Sequence, residues 1–121
     1  MDIKLRKEFL ADVEAAVVKA ERKHNKVCDI FCFHQLSEIK KELEKARTRN
    51  DANESCNESS FLEVLQEEIL ESLEAYMQKD YKQCLKELAQ VAAVAIRGME
   101  FVYRLTPEAK ASAKFKGGEN D

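Results

Sequence analysis

Proline occurs once in this 121-residue sequence and glycine three times. So little punctuation excludes a many-stranded sheet with frequent turns and favours long helices. No apolar run approaches the roughly 20 residues needed to span a bilayer. An excess of positive charge is also missing: 20 Lys+Arg stand against 23 Asp+Glu, for a net charge of −3. That balance excludes holding long nucleic acid through bulk basic charge. The opening Met1-Asp2-Ile3-Lys4-Leu5-Arg6-Lys7-Glu8 lacks the apolar stretch of a signal peptide, so the expectation is a cytoplasmic chain with no membrane partner. There is no glycine-rich phosphate loop, no serine–histidine pairing at an elbow, and no supported cysteine–histidine dyad.

What the sequence does have is apolar residues at helical spacing. Leu5, Phe9, Val13, Ala16, Val17 and Ala20 recur in steps of three and four, which predicts a first amphipathic helix over 2–26. Leu36, Ile39, Leu43 and Ala46 predict a second over 34–49. The polar run Asn50 to Ser60 reads as a loop, with Ser59 or Ser60 as the N-cap of the next helix and Glu63, three residues after Ser60, completing a capping box. A third helix is expected over 61–78, with Leu62, Leu65, Ile69, Leu73 and Tyr76 on its core face. The short Lys79-Asp80 link forces a fourth helix, 81–104, to fold back on the third, and Thr106-Pro107 stops it. The expected fold is all-α: a four-helix bundle with an antiparallel acidic helix pair, forming one domain over 1–105 with a C-terminal tail at 106–121.

Several motifs can be set aside on chemical grounds. His24, Cys28, Cys32 and His34 are zinc-ligand types, but their spacing matches no familiar zinc knuckle. Asp51, Asn53, Ser55 and Asn57 alternate like the start of a calcium loop. That pattern fails where Cys56 replaces the turn glycine and Leu62 replaces the closing glutamate.

The unusual feature is acidic. The third helix carries Glu63, Glu67, Glu68, Glu71 and Glu74, and the fourth carries Glu87. At about 100° per residue, Glu68 borders the apolar face and Glu71 lies about 60° further round. Glu63, Glu67 and Glu74 project towards a solvated face. Glu87 falls inside an apolar stripe, between Val91 and Val94 and in line with Gly98, with Gln90 on the edge of that stripe. A buried carboxylate without a partner costs several kcal/mol and must find a cation, a hydrogen-bond network or a proton. One solution is a lysine or tyrosine from another helix, as in a non-catalytic helical interaction module. The other is a divalent cation shared by Glu87, Glu68 and Glu71, and oxygen-only ligands favour Mg²⁺ or Mn²⁺.

These residues resemble a known family. Glu67-Glu68-Ile69-Leu70-Glu71 resembles the E-E-x-x-E element of the MazG-like all-α nucleoside triphosphate pyrophosphohydrolases, and Glu87-Leu88-Ala89-Gln90 stands where that family has E-x-x-D. Ala75 to Asp80 is similar to the family's short turn, and Ala20 to His24 to the end of its first helix. The resemblance implies hydrolysis of a nucleoside triphosphate to the monophosphate and pyrophosphate. It implies Glu68, Glu71 and Glu87 as catalytic metal-site residues, Gln90 in the place of the fourth ligand, and Mg²⁺ (or Mn²⁺) as cofactor. It also implies a homodimer or homotetramer. Gln90 departs from the pattern by bringing no charge, which leaves a degenerate nucleotide-binding relative as the alternative.

Overall fold

The computed structural model describes residues 2–23, 31, 32 and 34–105. All regular structure among them is helical: α1 (Ile3–Lys23), α2 (Leu36–Ser55), α3 (Phe61–Met77) and α4 (Tyr81–Leu105). His24, Cys28, Phe33 and the whole expected tail lie outside the described residues. The chain divides into two compact units, Met1–Asp29 with Ile96–Asp121, and Ile30–Ala95. Among the described residues, no helix is long and apolar enough to cross a membrane.

In the first unit, Asp2 caps α1 by accepting hydrogen bonds from the backbone N–H groups of Lys4 (2.6 Å) and Leu5 (3.4 Å). Phe9 is fully buried and meets Tyr103 edge to face, with ring centroids 6.1 Å apart. The apolar stripe expected along α1 buries only its first half. Leu5 and Val13 are half-buried, whereas Ala16, Val17 and Ala20 are exposed.

The second unit is organised around α2 and α3, which pack along an extended interface. Ile39, Leu43 and Ala46 are buried, as the helical spacing predicts. The expected loop at 50–60 is shorter than predicted, because α2 continues through Ser55. The reason is that the asparagines of this stretch find partners on α3. Asn50 Nδ2 donates to the Glu63 carbonyl (3.1 Å) and to Glu67 Oε1 (2.8 Å), and Asn53 Nδ2 donates to Glu63 Oε2. Polar residues that usually compete with a helix are here satisfied while remaining helical. Asn57 then turns the chain at φ 57°, a conformation that asparagine tolerates better than most residues.

Ser60 caps α3 by accepting from the Glu63 N–H at 3.3 Å. The reciprocal half of the capping box is replaced, since the Glu63 carboxylate takes the Asn53 amide instead. The buried positions of α3 are Ser72 and Ala75. Two of the expected core residues, Leu62 (61% exposed) and Ile69 (40% exposed), lie outside. The Ser72 hydroxyl satisfies itself locally on the Ile69 carbonyl at 2.6 Å. Small residues at 72 and 75 thus occupy the covered face, and the larger aliphatics stand beside it.

Two backbone bonds close α3: Lys79 N–H to the Tyr76 carbonyl and Asp80 N–H to the Ala75 carbonyl, both at 2.9 Å. This is a Schellman turn with Lys79, at φ 63°, in the left-handed position that glycine usually fills. Asp80 then caps α4 through the Gln83 N–H at 3.1 Å. Phe31 stacks on Tyr76 (4.3 Å) and Tyr76 meets Tyr81 (5.8 Å), so aromatic rings brace the turn.

Candidate metal centre

The turn returns α4 so that Glu87 meets α3. One carboxylate oxygen from each of Glu68, Glu71 and Glu87 can be chosen so that all three lie within 4.8 Å of one another. Among the described residues this is the one group of metal-capable acidic, histidine or cysteine side chains. All three are half-buried. The spacing explains the meeting: Glu68 and Glu71 are neighbours one turn apart on α3, and Glu87 lies between the half-buried Val91 and Val94 in projection on α4.

The electrostatics are those of a cluster with too much negative charge. Glu71 is pushed up to about 8, first by burial, then by hydrogen bonds that its protonated form makes with Glu67 and Glu87, and finally by the charges of Glu68 and Glu87. The Glu68 carboxyl is also raised, by burial and then by the charges of Glu87 and Glu67. Like charges this close cannot all ionise without a positive partner, so a proton is retained. No lysine or arginine forms an ion pair with any of the three among the bridges of the described residues.

Two neutral amides touch the cluster from outside. Gln83 Nε2 donates to Glu87 Oε1 at 2.6 Å, and Asn50 Nδ2 donates to Glu67 Oε1. Glu67 was expected on a solvated face. It is half-buried, tied to α2 on one side and to Glu71 on the other. Periodicity along α3 alone could not find it, because the burial comes from the extended part of α2. Gln90 lies one turn beyond Glu87 at an exposed position.

The other sequence candidates fall elsewhere. The His34 ring Nδ1 lies 3.4 Å from Glu38 Oε2, and the His34 backbone N–H donates to Cys32 Sγ at 3.3 Å. The grooves along α2 and α3, of about 490 and 330 Å³, are lined by residues that include Leu70, Leu73 and Ile69. None of the three clustered carboxylates lines them.

The donor set fits a hard divalent cation. Three oxygens bound at about 2.1 Å to one Mg²⁺ lie about 3.0 Å apart where adjacent, with at most one pair about 4.2 Å apart where opposite, so this group, within 4.8 Å, would have to draw together to hold the ion. Compared with protein-family models, with curated proteins and with solved structures, the chain matches none of them.

Proposed function

We propose that this chain is a MazG-like, Mg²⁺-dependent nucleoside triphosphate pyrophosphohydrolase, releasing the monophosphate and pyrophosphate. The observation that carries the reading is the convergence of Glu68, Glu71 and Glu87 from two helices, one turn apart on α3 and facing from α4. The spacing of these residues is that of the resembled family. Carboxylates projecting inward from two facing helices are an established way to build such a site.

In this reading Glu68, Glu71 and Glu87 hold the cation, and Gln90 adds a neutral oxygen. The bound cation supplies positive charge for the phosphate oxygens as negative charge builds on them. The chain's own residues do the rest. Glu71, whose carboxyl is held well above the ordinary range, would release its proton to solvent before its oxygens could serve as ligands. A neighbouring carboxylate accepts the proton of the attacking water. Water oxygen bonds to phosphorus, the bridging P–O bond breaks, and pyrophosphate leaves.

The same reading includes self-association as a homodimer or homotetramer. Leu85 is 70% exposed, and Tyr81 and Leu88 are also exposed on α4, a set of apolar side chains that a second copy would cover. Sedimentation across micromolar concentrations tests this part.

The neutral Gln90 favours a second reading, a relative that binds nucleotide without turning it over. A pyrophosphate-release screen against normal, deoxy and damaged nucleotides, with Mg²⁺ and Mn²⁺, separates the two. Release by the wild type and its loss in Glu87→Gln supports the enzyme. Nucleotide and metal binding with no release supports the degenerate relative. If neither binding nor release occurs, the remaining reading is a helical interaction module.

A further inference from the structure

The first unit covers little of its own apolar surface. Among its described residues Phe9 is the one buried apolar side chain. Ile3 (70% exposed), Leu10 (46%) and Val17 (52%) stand outside on α1, and Phe101, Val102 and Leu105 stand outside on the end of α4. Burying one ring offsets little of the entropy lost in ordering two helices, so this unit needs a further surface against it.

The uncovered residues of α1 keep a register. Ile3, Leu10 and Val17 recur every seven residues, and Arg6, Val13 and Ala20 recur at the same interval three residues later. This is the three-and-four repeat of a coiled-coil seam, about 100° round the helix from Phe9. It runs the length of α1, whose 21 residues hold three such repeats. Lys7 and Glu14, both exposed, flank the seam on one side. Neither has an oppositely charged residue three or four places away, so neither can form the usual ion pair along its own helix.

The seam fits a second copy of itself in one direction. A parallel pairing sets Arg6 against Arg6 inside the interface. In an antiparallel pairing Ile3 meets the second copy's Ala20, Leu10 meets its Val13, and Val17 meets the aliphatic stem of its Arg6. The same alignment brings Lys7 beside the second copy's Glu14 and, through the two-fold axis, Glu14 beside its Lys7. We infer that α1 pairs antiparallel with α1 of a second copy through Ile3, Leu10, Val13 and Val17, with two reciprocal Lys7–Glu14 ion pairs fixing the direction. This surface is separate from Tyr81, Leu85 and Leu88 on α4, and it does not depend on the metal-centre reading.

The experiment is sedimentation equilibrium of the full chain over micromolar concentrations at low salt, with circular dichroism recorded for each variant. Wild type is compared with Leu10→Asp, Lys7→Glu, Glu14→Lys, the Lys7→Glu/Glu14→Lys pair, and Leu85→Asp, which reports on the α4 face. Leu10→Asp should weaken the association that α1 supports by about 100-fold or more, because it places a charge in the seam. Each single reversal should weaken it about tenfold, since both ion pairs become repulsions. The double reversal should return it to within about threefold of wild type. Should Leu10→Asp lose its helical signal, the reversals, which replace exposed residues, decide in its place. Association that survives Leu10→Asp and disappears in Leu85→Asp overturns the inference and leaves the α4 face as the interface. A double reversal as weak as the singles overturns the antiparallel pairing. A chain that is monomeric at every concentration overturns the inference and the self-association above together, whereas pyrophosphate release decides the metal reading separately.

Discussion

Helix α4 carries two carboxylates away from free solvent, and the chain treats them in opposite ways. Glu100, only 4% exposed, receives Arg97 Nε at 3.3 Å and Arg104 Nη2 at 3.5 Å, from one turn before and one turn after. Glu87 instead faces Glu68 and Glu71 and receives a neutral amide from Gln83. Glu100 is compensated by cations written into the same helix. At Glu87 the nearest groups add more negative charge, so the cluster relies on a retained proton on Glu71. The lesson is that burial alone does not distinguish a structural carboxylate from a candidate ligand. The sign of the side chains supplied around it does.

The sharpest way to break this contrast is to neutralise each type in turn. Glu71→Gln should lower pyrophosphate release by more than the roughly 100-fold that marks the loss of an outer-shell partner. Glu100→Gln, assayed below its unfolding range, should leave turnover within about threefold of wild type. Equal losses would mean that both carboxylates serve the fold and neither serves catalysis.

Stability should move the other way. The Arg97→Ala/Arg104→Ala double variant removes two cations from a buried carboxylate and should cost about 1–3 kcal/mol, the arginines being well solvated themselves. Glu71→Gln in metal-free protein should be neutral or stabilising, because it removes a repelled group. Urea midpoints measured side by side check both signs.

A third effect is pH-dependent and smaller. Glu71 titrates near 8 in the folded chain, against about 4.5 in an ordinary carboxylate. Between those values the folded state binds more protons than the unfolded one, so the contribution of Glu71 to stability falls as pH rises. Urea midpoints of metal-free protein should therefore drop from pH 5.5 to 8.5, and Glu71→Gln should flatten that dependence. Mg²⁺ affinity should rise over the same interval, since the ion displaces the proton.

The gentlest test is Gln90→Asp. Adding a charge one turn from Glu87 should tighten Mg²⁺ binding by a few-fold to about tenfold, or roughly 1 kcal/mol, in a calorimetric titration. An unchanged affinity would place Gln90 outside the centre.

Much of this comparison is legible in the sequence, and its gaps have physical causes. Sparse Pro and Gly with three-and-four apolar spacing were enough for four helices. Glu87 stands out because a charged residue interrupts an apolar stripe. Glu100 does not, because it stands between Arg97 and Arg104 in the sequence and reads as part of a charged face. Glu67 and the extension of α2 are invisible for a different reason: Asn50 and Asn53 resemble loop residues until α3 supplies acceptors for them. Leu62 and Ile69 show the converse error, in which apolar spacing marks a stripe but not the face that a neighbour covers.

The turn at Lys79 and Asp80 sets the angular phase of the whole arrangement. Asp80 both closes α3 and caps α4, so nothing between the helices can absorb slack. Glu87 follows two turns later. A single residue inserted into those two turns would rotate it by about 100° and carry it about 1.5 Å along the axis. The carboxylate would then point away from Glu68 and Glu71, although every helix remained intact. Insertions of a whole turn, three or four residues, would restore its direction while moving it by about 5 Å. The connection therefore behaves like a gear tooth: it tolerates substitution, as Lys79 in a glycine's position shows, but a change of length would put the carboxylates out of mesh.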